Sequence, residues 1–304
     1  MMQLSQSAHI LVRNLLVCLL ICSASLAIMP VNAFEQPQEL LIGIEPEHNI
    51  FDQMERYRDL ADYLSVQLGI KVKLTIMSRY GEVLKRFKTL KLDGAFLTPY
   101  TATMAIKELQ LEPVVYPVNL NGEYTSEGYI FVRKDSGIRS FQDMKGGNIV
   151  FVDPASMEGY LFPMAFLHQH GITDIDSFFN RYFFSGSHTS AIFAVLDGRS
   201  DIGAAKSTTF NAMTNNDPSI LQELEIIARS PKVPEFTLCL KSEIEPDLRE
   251  RMANALVLMD KTPDGMKTLQ QFRAISFVKA SKEDFVIIEN MAQEALGSFM
   301  IHGK

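Results

Sequence analysis

Asn148-Ile-Val-Phe-Val-Asp-Pro-Ala-Ser-Met-Glu-Gly-Tyr-Leu-Phe-Pro163 is the stretch that decides how this chain folds. Residues 148–152 are a short apolar run rich in β-branched and aromatic side chains, which reads as a buried strand. Asp153-Pro-Ala-Ser156 then supplies turn residues. Pro163 locates the helix that follows. A proline deep in a helix removes an N–H donor and clashes with the carbonyl four residues back, so it sits within about the first turn. The helix is expected to begin near residues 158–160, with Ser156, Met157 and Glu158 at its mouth. Strand, turn and helix in that order are the repeating unit of an α/β fold.

The same alternation continues outward. Glu39-Leu-Leu-Ile-Gly-Ile44 reads as a strand. Residues 54–68 read as a helix with Tyr57, Leu60, Ala61, Leu64 and Leu68 on one face, and Gly69 ends it. Strands are expected at 72–76, 93–97, 127–132, near 201–204 and at 236–240. Helices are expected at 81–90, 101–109 and 189–196, and the tail from Pro246 is mostly helical. The style changes after Pro113, and a fresh α/β series begins at Phe141. Two such series joined by two strand crossings imply two lobes. The first is expected to comprise residues 37–125 plus 236–304, and the second 126–235. Such a chain can hinge, because only two segments need change φ/ψ.

The amino terminus reads as an export signal over residues 1–33. Arg13 supplies the positive charge, residues 15–29 the apolar run, and Val31-Asn32-Ala33 the small residues of a cleavage site. A membrane-spanning helix needs roughly 20 apolar residues, more than this run offers. Cleavage removes Cys18 and Cys22 and leaves Cys239 alone, inside the apolar stretch Phe236-Thr-Leu-Cys-Leu240. That excludes an intramolecular disulfide and fits a small core residue. The chain holds 29 basic and 36 acidic residues, with no long Lys/Arg run, so nucleic acid and anionic membrane surfaces are not expected partners.

Ligands of open α/β sheets bind beyond the carboxyl ends of strands. Three segments have that layout. In the first, Thr98 and Thr101 can cap a helix or hold a ligand, and Tyr100 suits a cleft wall. In the second, Ser156, Met157, Glu158 and Gly159 stand at a helix start, where free N–H groups and the positive dipole end favour an anion. The third is Gly186-Ser187-His188-Thr189. There Ser187 or Thr189 can cap, and His188 can donate to an anion with a charge that responds near neutral pH. Thr208 and Glu235 complete the candidate set.

Phe151-Val-Asp-Pro-Ala-Ser156 with Gly159-Tyr-Leu-Phe-Pro163, Gly186-Ser-His188, Asp197-Gly-Arg-Ser-Asp-Ile-Gly-Ala204, Leu92-Asp-Gly-Ala-Phe-Leu-Thr-Pro99 and Phe277-Val-Lys-Ala280 resemble one family in order and spacing. It is the substrate-binding proteins of phosphate/phosphite/phosphonate ABC transporters, in the type II periplasmic-binding superfamily. The resemblance implies a two-lobed α/β fold, a periplasmic location, no cofactor, a monomer, and an ABC transporter permease as partner. It also implies an oxyanion gripped by Ser156, the Gly159 backbone and His188. Met157 and Glu158 depart from the small hydroxyl residues usual at those positions, and a carboxylate aimed at a dianion is repulsive. Glu158 can instead face the helix N-terminus, pair with a cation, or signal a neutral, zwitterionic or cationic ligand. Glu235 is the nearest match to the family's later acidic residue. The expected function is capture of a phosphate- or phosphonate-like oxyanion for import. The alternatives are delivery to a membrane sensor kinase or chemoreceptor, and an enzyme on the same fold. No nucleophile elbow, zinc-helix motif or Walker loop supports catalysis, and His168 and His170 are poorly spaced for a metal.

Overall fold

The computed structural model describes residues 39–46, 50–77 and 82–297. The expected export signal, its cleavage point, Cys18, Cys22 and the expected helix start at Gly81 lie outside the described residues. The first series runs β1 (Glu39–Ile44), α1 (Ile50–Leu68), β2 (Lys71–Ile76), α2 (Val83–Thr89), β3 (Gly94–Leu97), α3 (Pro99–Leu109) and β4 (Glu112–Asn119). Strand β5 (Thr125–Ser126) leads into β6 (Gly128–Arg133), β7 (Asn148–Phe151), α4 (Phe162–Gln169), α5 (Ile175–Phe178), β8 (Arg181–Phe184) and α6 (His188–Leu196). Then come β9 (Ile202–Lys206), α7 (Ser207–Asn216), α8 (Ile220–Glu223) and β10 (Leu224–Arg229). Strand β11 (Val233–Pro234) returns the chain to β12 (Thr237–Leu240), α9 (Pro246–Val257), α10 (Pro263–Phe272), β13 (Ala274–Lys279) and α11 (Val286–Gly297).

These strands form a six-stranded sheet in the order β13-β4-β12-β3-β1-β2 and a five-stranded sheet in the order β10-β6-β9-β7-β8. β1 pairs in parallel with β2 and β3, and β7 with β8 and β9, as βαβ units require. β5 and β11 pair with each other, Ser126 opposite Val233, and form a separate two-stranded ribbon between the sheets. The fold is α/β, with one sheet in each lobe.

Several strands were not legible in the sequence, among them β4, β10 and β13. β4 contains Pro113 and Pro117, which argue against an interior strand because proline cannot donate to a ladder. It nevertheless lies between β12 and β13, and Pro113 sits opposite Cys239 where the register with β12 shifts. β10 and β13 are antiparallel returns with mixed burial, which blurs the period-2 signal.

The quoted junction shows how proline chemistry shapes the second lobe. The helical run begins at Met157, one residue earlier than expected, and its first turn over Met157–Leu161 is π-type. Ser156 caps it, its Oγ accepting the Gly159 N–H at 3.0 Å. Pro163 lies in the first turn of α4 and cannot donate to the Gly159 carbonyl four residues back. Instead the Val152 N–H donates to that carbonyl at 3.1 Å, fastening the helix start to the end of the strand. This contact needs glycine: a Cβ at residue 159 would stand 2.4 Å from Val152 Cγ2.

Each sheet has its own apolar cluster, and a further cluster spans both. It joins Leu97 and Tyr116 with Phe151 and Met157, and includes Ile288 and Met291 of α11. Glu289 of α11 pairs with Lys107 of α3, while Glu294 accepts from Gln169 of α4 at 3.0 Å. The last helix therefore touches elements of both lobes. Cys239 is fully buried, and burial pushes its thiol pKa up.

Replacing Gly159 by Ala should overpack the junction and destabilise the protein by about 1–3 kcal/mol. The measurement is the urea midpoint. An unchanged midpoint would remove the Val152–Gly159 contact from this account of the fold.

Candidate functional site

Glu45 follows β1 directly and is buried at its carboxyl end. Its Oε2 accepts from the Thr98 N–H at 2.8 Å, from the Thr98 hydroxyl at 2.8 Å, and from the Thr101 hydroxyl. Gln53 of α1 donates to the Glu45 backbone carbonyl. The start of α3 thus already holds a carboxylate of the chain itself. Thr98 makes no side-chain cap, and the hydroxyls of Thr98 and Thr101 both donate to Glu45. Tyr100 is half-buried, and burial followed by nearby Glu108 raises its phenol pKa, so it stays a neutral donor at physiological pH.

At the second junction Ser156 and Gly159 satisfy each other, and Met157 is fully buried in the shared apolar cluster. Glu158 is buried, and its Oε1 accepts from the Ser126 hydroxyl on the crossing ribbon at 2.8 Å. The side chain turns toward the strand that joins the lobes. A buried carboxylate is costly unless hydrogen-bonded or paired, and Ser126 supplies one such bond.

The third segment surrounds a cavity of about 300 Å³, lined by Ser187, His188, Lys206, Thr208 and Glu235 among others. It lies where β8 and β9 end and α6 and α7 begin. Ser187 caps α6 by accepting the Ser190 N–H at 3.1 Å. His188 Nδ1 accepts the Lys206 backbone N–H at 3.0 Å, which leaves Nε2 as the donating nitrogen of the neutral ring. Glu235 Oε1 accepts from the Thr208 hydroxyl at 2.8 Å and lies 3.3 Å from the Lys206 ammonium. Glu235 Oε2 takes the Asn119 side-chain amide at 3.5 Å.

The structure therefore brings Ser187, His188, Thr208 and Glu235 together around one cavity. It groups Thr98 and Thr101 around Glu45, and places Ser156, Glu158 and Gly159 at the junction beside the ribbon. Reasoning from the sequence missed Glu45, Ser126 and Lys206. The signal for Glu45 and Lys206 was their position: each follows or ends a strand at the sheet edge where ligands bind. Ser126 carried no local signal, because its role is a contact made across 32 residues.

A family model described as ABC transporter, phosphonate, periplasmic substrate-binding protein matches residues 42–285. Over 197 residues the chain is 28% identical to the phosphate-import protein PhnD of Mycolicibacterium smegmatis, covering 62% of this chain and 61% of that protein. The chain thus spans less than two thirds of that relative's length. Among solved structures it is similar to the binding-protein component of an ABC phosphonate transporter from Pseudomonas aeruginosa, with a TM-score of 0.73 at 19% identity over 87% of this chain and 88% of that one. It is also similar to PhnD1 of Prochlorococcus marinus in complex with methylphosphonate, with a TM-score of 0.72 at 22% identity over 87% and 100%. The fold is that of two-lobed periplasmic binding proteins. With the match running through both sheets and both crossings, the chain belongs to the phosphonate periplasmic substrate-binding family of ABC transporters.

Proposed function

We propose that this protein captures a small phosphate- or phosphonate-like oxyanion between its lobes and presents it to the permease of an ABC importer. The carrying observation is the cavity lined by Ser187, His188, Lys206 and Thr208 at the carboxyl ends of β8 and β9. It combines an oriented imidazole N–H, a buried ammonium and hydroxyls, the donor set a tetrahedral oxyanion needs. The lobes are residues 37–125 plus 236–304 and residues 126–235, moving about the β5–β11 ribbon. Ligand favours closure only through its greater affinity for the closed state, so Tyr100 of the first lobe and His188 of the second act on it together. The protein works as a monomer in the periplasm after cleavage near Ala33, and it binds without turnover. Among the described residues no helix is long and apolar enough to cross a membrane. The name of the Mycolicibacterium relative and the family description support the ligand class.

Calorimetric titration of a chain starting at residue 34 with phosphate, phosphite and methylphosphonate tests this reading. At 100 times Kd a bound ligand adds roughly 2.7 kcal/mol of stability, visible as a raised melting temperature. A panel in which no oxyanion raises the melt but an amine does would overturn the oxyanion assignment.

The His188→Ala variant should bind the same oxyanion more weakly by about 1–3 kcal/mol, because a donor to a charged group is lost. Unchanged affinity in a folded variant would take His188 out of the site.

A further inference from the structure

The cavity beside α6 and α7 has one buried cation, and that cation faces a carboxylate of the chain itself. Lys206 ends β9 and is buried. Its ammonium lies 3.3 Å from Glu235 Oε1, and the Lys206 and Glu235 side chains are 6% and 19% exposed. A charge-assisted hydrogen bond between these groups would be about 2.7–2.9 Å, so the contact is a loose ion pair. The tighter partner of the same oxygen is the Thr208 hydroxyl at 2.8 Å. Glu235 is held elsewhere too. Its backbone N–H donates to the Tyr124 carbonyl at 2.9 Å, and its other oxygen meets Asn119. Glu235 therefore has an anchorage that does not depend on Lys206.

Lys206 acts through its backbone as well. Its N–H sets the His188 ring through Nδ1, which fixes the donating nitrogen on the other side of the ring. The side chain and the backbone of one residue thus supply a cation and an oriented N–H donor at the same cavity.

We propose that Lys206 is the specificity-determining cation of this site and that Glu235 is one internal counterion of it, displaced from the ammonium by the incoming ligand. An oxyanion entering the cavity takes over Lys206 and meets His188, while Glu235 stays on Thr208 and Asn119. Glu235 then works against anion affinity. In the empty site it is one partner of a buried ammonium, and a buried charge is costly unless paired. The pair rests on the oxyanion reading above and adds the residues that set affinity.

The test is a double-mutant cycle read by calorimetry with inorganic phosphate and methylphosphonate. Glu235→Gln keeps the size and the hydrogen bond from Thr208 but removes the competing charge, and should tighten binding by about tenfold. Lys206→Met should weaken it by about 30-fold or more. In the double variant the gain from Glu235→Gln should vanish, because there is no ammonium left to release. Weaker or unchanged binding by Glu235→Gln overturns the proposal, since a carboxylate that touches the ligand directly, or one with only a structural role, gives those outcomes. If Lys206→Met does not fold, the Glu235→Gln result decides alone. If the unaltered protein binds neither probe, the oxyanion reading fails for it. The pair then stands only if Glu235→Gln gains phosphate binding, and falls if that variant is also silent.

Discussion

The hydrogen bond from the Val152 amide to the Gly159 carbonyl is the contact on which the strand–helix junction of the second lobe depends. Pro163 creates the need for it by withholding the donor that would serve that carbonyl inside the helix. Gly159 makes it possible, because any side chain there would collide with Val152. The result is a widened first turn that brings Ser156, Glu158 and the strand end into one small space. Gly128, on the other side, is also restricted: a Cβ there would sit 2.7 Å from Phe162 Cδ1 and 3.1 Å from the Glu158 carbonyl. Between these two glycines Glu158 is buried and accepts from Ser126 of the crossing ribbon.

Charge is managed inside this protein rather than left to the ligand. Glu45 takes the donors at the start of α3, Glu158 takes Ser126, and Glu235 takes Thr208 and Lys206. Several hydroxyls that a ligand could use are thereby committed to carboxylates of the chain. Such buried networks are favourable only when their members are hydrogen-bonded or paired. On the proposed reading, an anion entering this site competes with groups already held in place, so its affinity is a difference between two pairings.

The lobes are joined by more than the two crossings. The β5–β11 ribbon carries Ser126, which donates to Glu158, and leads directly into Glu235. α11 adds a third link, with Glu289 on α3 and Glu294 on α4. These are the helices that follow the first two candidate segments. Both helices pack into an apolar cluster that they share with α11.

The α/β alternation and the placement of most strands and helices were readable from residue order alone. Apolar periodicity, a proline in a first turn and a glycine after a helix act over a few residues, so they leave local marks. The extents of β1 and α3, and the strand–turn–helix junction ending at Pro163, were legible for that reason. β4 was not, because its prolines obscure a strand that only its neighbours on both sides make possible. Within the site, residue type pointed to His188, Thr208 and Glu235, but not to what each meets. Glu45 reaches Thr98 across 53 residues, and Lys206 reaches Glu235 only when two crossing strands return the chain to the same edge. By itself the sequence determined that this is a two-lobed α/β binding protein with polar groups at its strand ends. Only the tertiary structure decided which carboxylate faces which donor, because that choice is made by distance in space and by burial.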